Sequence, residues 1–82
     1  EHAPVYFTVD LDVLDPSVFP GTGTPEPGGV SFEELRKAVT LVCQKANVVA
    51  CDVNELSPPY DQSGVSTMVA CKVVREMLLA LN

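Results

Sequence analysis

The sequence predicts an α/β fold built as a parallel β-α-β-α segment, and three observations carry that prediction. Two short runs, residues 5–9 and 48–53, are β-branched with little polar alternation, and both end on acidic residues. This is how a strand covered on both faces of a parallel sheet reads. Each run is followed, beyond a Pro- and Gly-bearing loop, by a stretch whose apolar residues recur at helical spacing. Strand, helix, strand, helix in that order implies a right-handed parallel crossover unit. Two strands and two helices leave sheet edges and helix faces bare, so a larger sheet is expected to complete them.

The first strand is Val5-Tyr6-Phe7-Thr8-Val9, ending on Asp10. Over residues 11–29 the chain carries Pro16, Pro20, Pro25, Pro27 and four glycines, which continue neither a helix nor a central strand. A long, stiffened loop is expected there, and loops of that length in compact domains are usually functional. Ser31-Phe32-Glu33-Glu34 is a capping box. Leu35, Ala38, Val39, Val42, Cys43 and Ala46 then fall on one face, predicting a helix over residues 32–46. The second strand ends in acidic residues before the Pro58-Pro59 turn. Beyond Asp61-Gln62-Ser63-Gly64, Val65, Val69, Val73, Met77 and Leu81 repeat every four residues, widened by Met68, Val74 and Leu78, and predict a long closing helix.

Composition narrows the function classes. At 82 residues the chain is one compact unit at most. Its first residues, Glu1-His2-Ala3-Pro4, lack the basic and apolar regions of a signal peptide and read as a cut inside a longer protein. The longest apolar run, residues 77–81, falls far short of the ~20 residues a membrane span requires. Neither a membrane nor a nucleic acid is expected as partner: the net charge is −6, and only five Lys and Arg are present, without a cluster. Acidity suits a cationic ligand or a metal. Cys43, Cys51 and Cys71 are odd in number and form no CxxC pair, so all three are expected as reduced core residues. That favours a soluble cytoplasmic protein, with an organelle matrix as the other compartment.

Parallel strands point their carboxyl ends at one sheet edge, outside which open α/β folds bind ligands. Asp10 and Asp12 after the first strand, and Asp52 and Glu55 at the end of the second, are therefore expected to gather. Carboxylates held together raise a pKa or need a cation, and hard oxygen donors suit Mg, Mn or Ca. The alternative is that lone aspartates merely cap turns. Asp15, in an Asp-Pro step, is expected to bond local backbone N–H groups rather than metal. Asp52 reads equally well as an acid that orients the site and as a polar strand terminus. His2 precedes the first strand and reads as a surface residue.

Asp10-Leu11-Asp12 alone is a weak signal. An EF-hand loop fails on spacing, since it would need an oxygen ligand at Leu14 and glycine at Asp15. Apolar strand plus Asp10-x-Asp12-Val13 does match the nucleophile motif of haloacid-dehalogenase-like phosphatases. The full run Thr8-Val9-Asp10-Leu11-Asp12-Val13-Leu14-Asp15-Pro16, followed by Pro20-Gly21-Thr22-Gly23-Thr24-Pro25 and Gly28-Gly29, separates the alternatives. It closely resembles the ureohydrolase signature of arginases and agmatinases. Asp52-Val53-Asn54-Glu55-Leu56-Ser57-Pro58-Pro59-Tyr60-Asp61 likewise resembles that family's strand-end segment, in which a glutamate meets the substrate guanidinium.

The resemblance implies the three-layer αβα arginase-like fold, with residues 1–82 as an incomplete, carboxy-terminal part of a ureohydrolase domain. It further implies that Asp10 and Asp12 are ligands of a pair of Mn2+ ions, that Glu55 binds the guanidinium, and that Thr24 lies beside the substrate. The implied reaction is hydrolysis of a guanidino substrate by hydroxide shared between the two ions. Pro-Gly-Thr-Gly-Thr-Pro-Glu-Pro-Gly-Gly and Pro-Tyr-Asp-Gln-Ser look more like agmatinases than arginases, so agmatine, giving putrescine and urea, is the expected substrate. A related guanidino or formimidoyl hydrolase is the neighbouring alternative, and a non-catalytic or oligomer-forming segment the alternative of another class. The family's Gly-Gly-Asp-His-type and Asp-x-His-x-Asp segments are absent here, so no catalytic residue is assigned. The isolated chain is expected to be inactive, its partner being the missing upstream part of the same enzyme within a homo-oligomer.

Overall fold

The computed structural model describes residues 3–81. Its elements follow the predicted order. β1 spans Pro4–Asp10, α1 Phe32–Lys45, β2 Asn47–Asn54 and α2 Val65–Ala80, with 3₁₀ turns at Leu11–Val13 and Pro58–Tyr60. α1 starts where the capping box predicts: Glu34 N donates to Ser31 Oγ at 3.1 Å, and Ser31 N donates to Glu34 Oε1 at 2.8 Å. His2 lies outside the described residues.

β1 and β2 pair in parallel, with one irregularity. Val5 partners Val48 but Tyr6 partners Ala50, so Val49 is an extra residue in β2. After it, Phe7 partners Cys51 and Val9 partners Val53, while Thr8 partners Asp52 and Asp10 partners Asn54. Phe7, Val9, Cys51 and Val53 join the core together with Leu35, Val39 and Cys43 of α1 and Ala70, Val73 and Met77 of α2. Both helices therefore cover one sheet face.

Within this chain the Tyr6, Thr8 and Asp10 side of the sheet is open, as expected of strands that a larger fold completes; Tyr6 is 65% exposed. Two expectations are corrected. The buried stripe of α2 is Ser66, Ala70, Val73 and Met77; of the four-residue repeat, Val69, Val73, Met77 and Leu81 lie in or against the core, whereas Val65, and with it Met68 and Leu78, is exposed. A strict repeat of four advances roughly 400° per step and drifts off any one face, so only part of it can face the sheet. Cys43 is buried, Cys51 half-buried and Cys71 exposed; all three are free thiols, but Cys71 sits one position round the helix from core residue Ala70. No helix among the described residues is long and apolar enough to cross a membrane.

The loop between β1 and α1 closes on itself. Leu14 and Val30 form an isolated parallel bridge, with Asp15 N donating to Val30 O and Val30 N to Val13 O, both at 2.9 Å. Gly29 is required at that closure, since a Cβ there would lie 2.5 Å from Val13 O and 2.6 Å from Asp15 N. Leu14 and Phe19, almost wholly buried, anchor the loop to the core.

Candidate functional site

The candidate site begins where the two parallel strands end. Asp10 closes β1, and the chain turns at once through Leu11–Val13. Leu11 is fully buried, which leaves its neighbours Asp10 exposed and Asp12 half-exposed at the carboxyl edge of the sheet. Glu55 directly follows Asn54, the partner of Asp10, so it leaves β2 at the same edge.

Glu55 is exposed, and its φ of 79° makes it the one non-glycine in the left-handed region among the described residues. Such a conformation costs about 1–2 kcal/mol for an L-residue. Strain of this kind concentrates at functional positions, where the surrounding structure imposes it. Among the described residues its carboxylate has no hydrogen-bond or ionic partner. It is an acceptor without a donor.

Thr24 comes to this edge from the loop. Its Oγ1 donates to Asp12 Oδ2 at 2.8 Å. Thr22, whose side chain is buried, backs it up: the Thr24 amide and hydroxyl both lie 3.4 Å from Thr22 Oγ1. Of the predicted site residues, Asp12 and Thr24 are thus in contact, whereas Asp10 and Glu55 share the edge without a bond to either.

Asp52 does not join the carboxylate group. It lies on the open sheet face, accepting from Thr8 Oγ1 at 2.6 Å, from the Tyr6 hydroxyl and from Asn54 Nδ2 at 2.7 Å. The Thr8 bond first, and then that of Tyr6, hold its carboxyl below the ordinary range. Its face is set by the extra residue Val49. In unbroken register Asp52 would fall opposite Val9 on the core face; the bulge sets it opposite Thr8. The expected gathering of four acids is reduced to three at the edge, because Asp52 lies two residues before the end of β2 with its carboxylate engaged by Tyr6, Thr8 and Asn54.

Asp15 bonds backbone, as its Asp-Pro step predicts. Its carboxylate accepts from Ser17 N at 3.0 Å, Ser17 Oγ at 2.5 Å, Gly28 N at 2.9 Å and Gly29 N at 3.2 Å. Those donors, Ser17 foremost, bring its pKa down to about 2 from the ordinary 3.8. Asp61 plays the matching part before α2. It accepts from Ser63 N and Oγ and from Ser66 N and Oγ, and Ser63 and Ser66 hold its pKa likewise at about 2. Sequence reasoning saw only a turn at Asp61; an acid two and five residues ahead of serines at a helix start was the available signal.

Carboxylates without cationic partners can take a metal ion at Asp10 and Asp12, or a planar guanidinium at Glu55. In kind the donors fit a hard divalent cation. In number they do not fill its shell, for among the described residues no three His, Cys, Asp or Glu side chains come close enough to hold an ion together. Any metal site using Asp10 and Asp12 needs ligands from outside the described residues.

Comparison with known proteins gives a consistent result. The model of the arginase family matches residues 1–80. An agmatinase of Halalkalibacterium halodurans is 49% identical over 76 residues, which are 92% of this chain and 26% of that protein. A mitochondrial guanidino acid hydrolase of Homo sapiens is 45% identical over 78 residues, 95% of this chain and 22% of that protein. Among solved structures, proclavaminate amidino hydrolase from Streptomyces clavuligerus superposes with a TM-score of 0.90 at 40% identity, over 96% of this chain and 26% of its own. The chain spans about a quarter of the length of these relatives.

Proposed function

The chain belongs to the arginase family, and on that premise we propose that it supplies the substrate-binding edge and part of the metal shell of a guanidino hydrolase, with agmatine as substrate. The observation that carries this reading is the pairing of Asp10 with Asn54, since it brings the acids after β1 and Glu55 after β2 to one edge. Asp10 and Asp12 would hold divalent cations, Mn2+ by the family resemblance, jointly with groups that the described residues do not contain. Such ions supply Lewis-acid activation of water.

This chain's own residues then bind and orient. The Glu55 carboxylate accepts charge-assisted hydrogen bonds from the guanidinium and fixes its carbon against the activated water. Thr24 Oγ1, spent on Asp12, holds one of its carboxylate oxygens in place. Attack on the guanidinium carbon and departure of the amine would give urea and, from agmatine, putrescine. In this reading residues 1–82 are an incomplete domain, and the upstream part of the same enzyme, in a homo-oligomer, is the partner.

A second substrate reading, a guanidino acid, is favoured by the Homo sapiens relative. The acids at the sheet edge, Asp10, Asp12 and Glu55, favour the first, because agmatine is a dication whereas a guanidino acid carries a carboxylate. Co-expression of the chain with the upstream three quarters of an arginase-family relative, followed by urea release from agmatine, 4-guanidinobutyrate and arginine, decides between them. Urea from agmatine at the highest kcat/KM is the expected result. Preference for guanidinobutyrate would replace the substrate, and no urea from any of the three by a folded, metal-loaded complex would remove the hydrolase reading.

A further inference from the structure

We propose that Ser66 is a positioning residue that holds the Thr24 loop and the segment after Glu55 in one fixed relation; the inference rests on the reading of Asp12, Thr24 and Glu55 given above. Ser66 lies in the first turn of α2 and is 1% exposed. Its Oγ accepts from Gly21 N at 2.8 Å and donates to Asp61 Oδ2 at 2.6 Å. Gly21 O in turn accepts from Ser57 N at 2.7 Å. One hydroxyl thereby ties three segments: the loop after β1, three residues before Thr24; the segment after β2, two residues past Glu55; and the start of the helix that both lean on.

The contact tolerates little variation. A Cβ on Gly21 would lie 2.7 Å from Ser66 Cβ and 3.1 Å from Asp61 Cβ, so the loop backbone is pressed directly against the helix. Serine is the smallest side chain able to accept and donate at once. If the loop shifted alone, the buried Gly21 N–H would lose its partner, and an unpaired buried group is costly. The two loops are therefore coupled. For hydrolysis this matters, because Asp12, through Thr24, and Glu55 must keep a set separation between metal and guanidinium carbon, and misplacement by about 1 Å can cost on the order of 10²-fold in rate.

The test uses the isotope-labelled chain co-expressed with the upstream three quarters of an arginase-family relative, the same complex carrying Ser66→Ala, and Mn2+ as paramagnetic probe. In the parent complex Mn2+ is expected to broaden the amide signals of Asp10, Asp12, Thr24 and Glu55. In Ser66→Ala, amide exchange at Gly21 and Ser57 should rise about tenfold, and the broadening at Thr24 and Glu55 should change relative to that at Asp10 and Asp12, with exchange at Val39 and Met77 unchanged. Ser66→Cys, which retains a weak acceptor, should show the same pattern in milder form and serves if the alanine variant does not fold. Broadening unaltered by either substitution, or exchange raised equally across the core, would overturn the role of Ser66 alone. No broadening at Asp10 and Asp12 in the parent complex would overturn the underlying metal reading and this proposal with it.

Discussion

Thr24 Oγ1 donates a 2.8 Å hydrogen bond to Asp12 Oδ2 across twelve residues of loop. The bond makes the loop part of the carboxylate edge rather than a cover over it. A carboxylate with one oxygen held by a donor presents the other in a defined direction, which is what a metal ligand requires of its surroundings.

Replacing Thr24 by Val keeps the β-branched shape and removes the donor. In an assembled enzyme, Mn2+ affinity measured by calorimetric titration should fall roughly 10- to 100-fold, and Thr24→Ser should restore most of it. Equal affinity in parent and Thr24→Val would mean that Asp12 needs no such support. The isolated chain should bind Mn2+ only weakly, two carboxylates being too few to replace a hydration shell.

Asp12→Asn and Glu55→Gln should fail differently in the same enzyme. Asn loses the charge that holds a cation, so metal content and activity fall together, and excess Mn2+ restores part of the activity. Gln leaves the metal in place but weakens the bonds to the guanidinium, lowering kcat/KM on the order of 10²-fold. Metal analysis beside steady-state kinetics separates them; loss of manganese from Glu55→Gln would move Glu55 into the metal shell.

The left-handed backbone of Glu55 predicts a gain in stability on its removal. Glu55→Gly relieves a conformational cost of about 1–2 kcal/mol and adds unfolded-state entropy of ~1 kcal/mol, so the chain should be more stable by up to about 1 kcal/mol. Urea denaturation provides the number. A destabilised Glu55→Gly would show that the side chain makes contacts beyond its backbone.

Acid should loosen both loops over one interval. The folded-state pKa of Asp15 and Asp61 is about 2 against an ordinary 3.8. A depressed carboxyl contributes stability that is fully present above the unfolded value and is lost as pH falls through the folded one. Loop order should therefore decline from about pH 4 down to about pH 2. Amide exchange at Gly28 and at Ser66 reports each in turn, and Asp15→Asn should flatten the profile at Gly28 while leaving that at Ser66. An unchanged profile would dissociate the carboxylate from the loop.

By itself the sequence determined the order of elements, the capped start of α1, the backbone-bonding role of Asp15, and the family to which Asp10, Asp12 and Glu55 point. These are local matters: hydrophobic period, Asp-Pro and capping chemistry, and short motifs each confined to one stretch of chain. What only the tertiary structure decided depends on partners far apart in the chain. Val49 as an extra strand residue put Asp52 on the open face beside Thr8 rather than in the core, because a slip of one residue sends every later side chain to the opposite face. Ser66 and Asp61 became a junction of two loops only because α2 packs where Gly21 passes. Which apolar side of α2 is buried was likewise set by what lies against it. A helix that is apolar on more than one side carries no preference of its own, and this chain covers one of those sides.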